Sequence, residues 1–119
     1  MEMHESSEDY LEKILMLQKR LGQVRSIDIV NELGFSKPSV SIAMKKIREN
    51  GYIEMDGENL ITLTASGAKV ARRIYARHQT LAKLLVQLGV SQETAEKDAC
   101  KIEHDISDES FARIKKFLH

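Results

Sequence analysis

The sequence predicts a mainly α-helical protein in which a winged helix-turn-helix is joined by a long helix to a second helical region. Three observations predict it. Apolar residues recur at helical spacing through most of the 119 residues. Residues 26–50 read as two helices around a Gly-Phe-Ser turn. Two short apolar runs around a polar turn at 52–63 are followed by a helical pattern of about 24 residues, roughly 36 Å long at 1.5 Å per residue.

The elements follow in order. Helix 1 is expected from Ser7 to Leu21, with Tyr10, Leu11, Ile14, Leu17 and Leu21 as its buried stripe. Helix 2 is expected to start at Ser26, read as its N-cap, and to bury Ile27, Ile29, Val30 and Leu33. Gly34-Phe35-Ser36 forms the turn. Helix 3 runs from after Ser36 to near Asn50, with Pro38 in the first turn, where a missing N–H costs little. Val40, Met44 and Ile47 face inward. Tyr52–Met55 and Leu60–Leu63, around Asp56-Gly57-Glu58-Asn59, predict a hairpin, the wing. The long helix begins at a Thr64 cap and ends near Leu88. Helix 5 starts at Ser91, with Ala95, Ala99, Ile102 and Ile106 on one face. Helix 6 starts at Ser107 and presents Phe111, Ile114, Phe117 and Leu118. The domain division read from this order is 1–63 and 64–119.

Composition narrows the class. The first 15 residues are acidic and the longest uninterrupted apolar run is Ile14–Leu17, so neither a secretory signal nor a membrane span is expected. A single Cys cannot form an internal disulfide, which makes the cytoplasm the expected compartment. Net charge is zero, but residues 20–77 hold ten Lys/Arg against six Asp/Glu, between more acidic ends. A basic middle fits a DNA-contacting module.

In a helix-turn-helix the second helix is braced so that its N-terminal half can enter the major groove. The outward positions of helix 3 are Lys37, Pro38, Ser39, Ser41, Ile42, Lys45 and Lys46. Ser39 and Ser41 can reach base edges, and Pro38 or Ile42 can pack on a thymine methyl. Lys45 and Lys46, with Arg48, suit phosphates.

Potential metal ligands occur in three places. Asp9 and Glu12 lie three apart on helix 1. His78 lies on the long helix. Cys100, Glu103 and His104 stand at i, i+3 and i+4, and are expected on one face of helix 5. Thiolate, carboxylate and imidazole together form a transition-metal set. Taken singly, each has an ordinary explanation as a solvated or packed side chain. There is no His-Glu-x-x-His, nucleophile elbow or glycine-rich phosphate loop, so no enzyme is expected.

EDYLEKI at 8–14, Arg77-His78, and DACKIEHDIS at 98–107 resemble the diphtheria toxin repressor family, and most closely its shorter manganese transport regulator branch. The resemblance runs in matching order over nearly the whole chain. It implies a cytoplasmic homodimer that binds double-stranded operator DNA and represses transcription when loaded with a divalent transition metal. The second region would be a helical dimerisation region, with two ions per protomer. Asp9, Glu12, His78, Glu103 and His104 match family ligands. One ion would use Asp9, Glu103 and His104 and the other Glu12 and His78, with Glu103 and position 100 shared. Cys100 is the departure: the manganese branch carries a carboxylate there, while the iron-sensing branch pairs Cys with Met where this chain has Asp9. The implied effector is Fe²⁺ or Mn²⁺, with Zn²⁺ or Co²⁺ able to bind in vitro. The alternative reading is a winged-helix regulator that responds to a small molecule or a partner protein.

Overall fold

The computed structural model describes residues 5–118, with side chains from Ser7 onward. His4 and His119, to which the sequence reading gives no role, lie outside them. The described elements are α1 (Glu5–Leu21), α2 (Ser26–Leu33), α3 (Lys37–Glu49), β1 (Ile53–Met55), β2 (Ile61–Leu63), α4 (Ala65–Gln87), α5 (Gln92–Ile102) and α6 (Asp108–Phe117). The mainly helical fold with a small hairpin is the one the periodicity predicts. The chain forms two compact units, Met1–Arg72 and Arg73–His119, with the boundary inside α4.

The first unit has an apolar core. Leu11, Ile14 and Leu17 of α1, Ile29 of α2, Val40, Met44 and Ile47 of α3, and Ile53 and Ile61 of the hairpin are all buried. Leu21 and Ile27, expected in this core, are exposed instead. Leu21 is the last residue of α1, and Ile27 sits at the second position of α2.

The start of α2 differs from expectation. Ser26 is the first helical residue and Arg25 holds the cap position. The Arg25 backbone N–H donates to Asp28 Oδ2 at 2.9 Å, so the acid three residues on satisfies the cap. Gly34 then adopts φ 70°, the left-handed conformation that ends α2 and makes the turn. Ser36 caps α3 by accepting from the Ser39 backbone N–H.

β1 and β2 pair antiparallel, Ile53 opposite Leu63. In the turn, Asp56 Oδ1 accepts from the backbone N–H groups of Glu58 and Leu60 at 2.8 and 3.0 Å. The left-handed residue there is Asn59, at φ 62°, and not Gly57. Val24 adds a one-residue bridge to Ile61, whose N–H donates to Val24 O at 2.7 Å. Thr64 Oγ1 accepts from the Gly67 N–H at 3.1 Å, capping α4, and donates to Gly51 O at 2.7 Å, tying the cap to the base of the wing. Gly67 lies so close to the wing that an added Cβ would stand 1.9 Å from Tyr52 O.

In the second unit Leu81 and Ala82 of α4 pack with Ala99 of α5, and half-buried Ile106 and Ile114 close over them. α6 has no buried residue, and Phe117 is 80 % exposed. Buried with this small core are Arg77, His78 and Glu103. Among the described residues no helix is long and apolar enough to cross a membrane.

Candidate metal centre and recognition helix

α5 does not carry the whole Cys100, Glu103, His104 set. It ends at Ile102; Glu103 is its C-cap and His104 lies in the turn beyond. The Glu103 N–H still donates to Ala99 O at 3.0 Å, so the residue completes the last helical bond. The buried stripe also differs from expectation. Ala95 and Ala99 are fully buried, and four residues further the stripe meets Glu103, fully buried, while Ile102 is exposed. Positions 95, 99 and 103 share a face at i, i+4 and i+8, and Ile102 turns out of it.

His78 of α4 is buried and meets the α5 side chains. Its Nδ1 lies 2.9 Å from Glu103 Oε2 and 3.7 Å from Cys100 Sγ. Its Nε2 lies 2.5 Å from Glu96 Oε2, and Gln92 Nε2 donates to the other oxygen of Glu96 at 2.7 Å. Sequence reasoning missed Glu96. Its signal was present, because Glu96, Cys100 and Glu103 stand at i, i+4 and i+7 along one helical face.

The hydrogen bond that the His78 ring makes to Cys100 Sγ pushes its pKa up to about 11, helped by Glu103 and then Glu96 and opposed by burial. Without a cation the ring is held as imidazolium among anionic partners. Metal binding displaces such a proton, since only neutral imidazole ligates. His78, Cys100 and Glu103 each offer a donor atom within 4.8 Å of one another. Glu103 Oε1 is buried and accepts no hydrogen bond among the described residues, with His104 Nε2 an ion-pair partner at 3.5 Å. A buried carboxylate oxygen so placed is costly in an apolar surrounding and well suited to a cation. Thiolate, imidazole and carboxylate therefore fit a divalent transition metal. Asp9 and Glu12 belong to α1 in the first unit, Asp9 half-buried and Glu12 1 % exposed.

On α3 all seven outward residues, Lys37, Pro38, Ser39, Ser41, Ile42, Lys45 and Lys46, are exposed, Ile42 at 70 %. Ser39 has a second duty: its Oγ accepts from Ser36 Oγ at 2.9 Å, which ties it to the cap of its own helix. Ser41, with Ile42, Lys45 and Arg48, lines a shallow recess that Met55 of the wing also borders.

Two family models match the chain. One, the N-terminal DNA binding domain of iron dependent repressors, covers residues 2–59. The other, the metal binding and dimerisation domain of iron dependent repressors, covers 64–119. The transcriptional regulator MntR of Escherichia coli O6:H1 is 37% identical over 110 residues, covering 92% of this chain and 71% of that protein. The HTH-type transcriptional regulator MJ0568 of Methanocaldococcus jannaschii is 35% identical over 118 residues, covering 98% of this chain and 94% of that one. A solved manganese-dependent transcriptional repressor, in complex with manganese, superposes with a TM-score of 0.84 at 31% identity, over 94% of this chain and 52% of that one. The chain thus spans about half the length of that structure, as it does of the solved manganese regulator SloR.

Proposed function

We propose that this chain, which belongs to the iron-dependent repressor family, is a cytoplasmic repressor that binds operator DNA as a homodimer when a divalent transition metal occupies the His78–Cys100–Glu103 centre. The convergence of those three donors within the metal-binding region carries the reading. We assign residues 1–63 to DNA binding and 64–119 to metal binding and dimerisation. Lys37, Pro38, Ser39, Ser41, Ile42, Lys45 and Lys46 form the DNA-facing surface. Asp9, Glu12 and His104 join His78, Cys100 and Glu103 as ligands, for two ions per protomer.

A bound divalent ion supplies shared coordination for these donors. Without it, Asp9, Glu12 and Glu103 bring like charges into one ligand set. Two unit charges 4 Å apart repel by about 4 kcal/mol at an effective dielectric of 20. Protonated His78 offsets part of that charge. Neutralising the set favours one arrangement of the recognition helices, and half-sites about 34 Å apart then become readable by a dimer. A coupling of about 1–3 kcal/mol per protomer is typical of such linkage.

The effector is Fe²⁺ or Mn²⁺. Manganese is favoured by the names of the relatives and the oxygen-rich set, iron by the Cys100 thiolate, which adds affinity for softer metals. The deciding experiment measures retention of a selected operator sequence by the purified protein. Chelator weakens it at least tenfold, and Mn²⁺ or Fe²⁺ restores it. Equal affinity with and without metal removes the sensor reading and favours a small-molecule or partner-responsive regulator.

A further inference from the structure

We infer that Arg77 is a positioning residue for the metal centre, one guanidinium that pins both ends of the turn carrying Glu103 and His104; the inference rests on the metal reading proposed above.

The need for such a pin follows from where α5 ends. Glu103 and His104 lie beyond the last helical residue, so no run of helical hydrogen bonds fixes them on the far side. Within the turn, the Asp105 N–H donates to Ile102 O at 3.0 Å. Arg77 supplies the rest. Its Nη1 donates to Glu103 O at 3.2 Å and to Ile106 O at 2.6 Å, and its Nη2 donates to Asp108 Oδ1. These partners bracket the turn and the start of α6. The guanidinium also stands 5.3 Å from the centre of the Phe111 ring, which backs it from α6.

Arg77 is only 4 % exposed, and its Nε finds no hydrogen-bond partner among the described residues. A buried cation with a donor left over is an expensive way to fill space. Packing alone would be served by an apolar side chain. What only Arg supplies is a rigid planar fork that reaches two carbonyls and a carboxylate together. It is also the residue before His78 on α4. Consecutive helical side chains diverge by about 100°, so one α4 segment sends His78 to α5 and Arg77 to the turn. The distance between the His78 ring and the Glu103 carboxylate is therefore set by neighbouring residues of one helix.

The test uses Co²⁺ as the probe on the full chain, reading affinity and the visible absorption that reports coordination geometry. Amide exchange at residues 103–106 in metal-free protein is followed alongside. Arg77→Met is expected to weaken Co²⁺ binding at least tenfold, alter the spectrum and speed exchange in the turn. Arg77→Lys, a single point donor, is expected to recover part of the affinity. Asp108→Ala removes only the outer anchor, from a side chain 88 % exposed, and is expected to weaken binding a few-fold. Should Arg77→Met fail to fold, Asp108→Ala decides. Wild-type affinity and spectrum in the folded Arg77→Met protein, or in Asp108→Ala in its place, would overturn the inference. A wild-type protein that does not bind Co²⁺ sinks the metal reading first, and the inference with it, before any variant is compared.

Discussion

The two units are built on opposite principles. The first buries a dozen large apolar side chains from three helices and a hairpin, and its outward helix face is exposed and basic. The second buries little beyond Ile74, Leu81 and a few alanines, and places Arg77, His78 and Glu103 among them. An apolar core stabilises in proportion to the area it removes from water. A core of paired charges is costly unless each partner is present. The first unit is thus held mainly by its apolar core, with Glu8 and Glu12 of α1 as its buried charges, while the second depends far more on its ionic partners and on what binds them.

The largest break in that contrast is expected from Ile29→Ala, which empties a fully buried site in the first unit. It should cost about 2–5 kcal/mol, read as a lower denaturant midpoint with an unchanged slope. A loss under about 1 kcal/mol would mean that the first unit is not held by its core.

The proposed metal centre draws most of its donors from the other unit. Mn²⁺ or Fe²⁺ at a hundred times its dissociation constant should stabilise the protein by about 2.7 kcal/mol, with chelator reversing the gain. Amide protection should rise around His78, Cys100 and Glu103 and much less in α2 and α3. Uniform protection of both units would erase the contrast.

Acid and base should also separate the units. In metal-free protein His78 is raised to about 11 by Cys100, Glu103 and Glu96. Below the ordinary imidazole value near 6.5, folded and unfolded chains both carry the proton and its stabilising contribution is complete. Above that value the unfolded chain loses the proton first, so the contribution declines as pH rises and is gone once pH passes about 11. Thermal melts of wild type and His78→Gln should therefore converge as pH climbs from 6 to 10. A gap that widens instead would reverse the assignment.

Ile102→Ala should cost less than about 1 kcal/mol, because the side chain is 38 % exposed. A loss that grows as the protein is diluted would show that a second copy covers it. Smallest in stability is Lys45→Ala, expected within about 0.5 kcal/mol. It should nevertheless weaken binding to all DNA sequences alike and lower the salt slope by about one.

How far these features were legible depends on how local their causes are. Helix limits at Ser36, Thr64, Ser91 and Ser107, and the hairpin between them, follow from caps and turn residues a few positions apart. The cap of α2 was misread because Ser26 has the right chemistry, but the Asp28 carboxylate serves the residue before it. The end of α5 was not legible. The carbonyls of its C-cap, Glu103, and of Ile106 beyond it are claimed by Arg77, 26 and 29 residues away, and spacing carries no trace of that. Nor could a periodic reading give the Val24–Ile61 bridge. Glu96 was within reach, since it shares the helical face of Cys100 and Glu103. The ligand types were visible early because unusual donors stand out in sequence, whereas the buried Arg that holds their turn looks like any surface cation.

Gly67 carries a consequence for how this chain can vary. Within a good helix-forming stretch, alanine would ordinarily be an improvement worth up to about 1 kcal/mol. Here the first carbon of any side chain would overlap Tyr52 O, a main-chain atom with no rotamer to retreat into. Random substitution at this codon therefore meets a wall where helix propensity alone would forecast tolerance. In a library of point variants, position 67 should be as intolerant as the proposed metal ligands while having no part in their chemistry, and a reader of that library would mistake a steric constraint for a functional one.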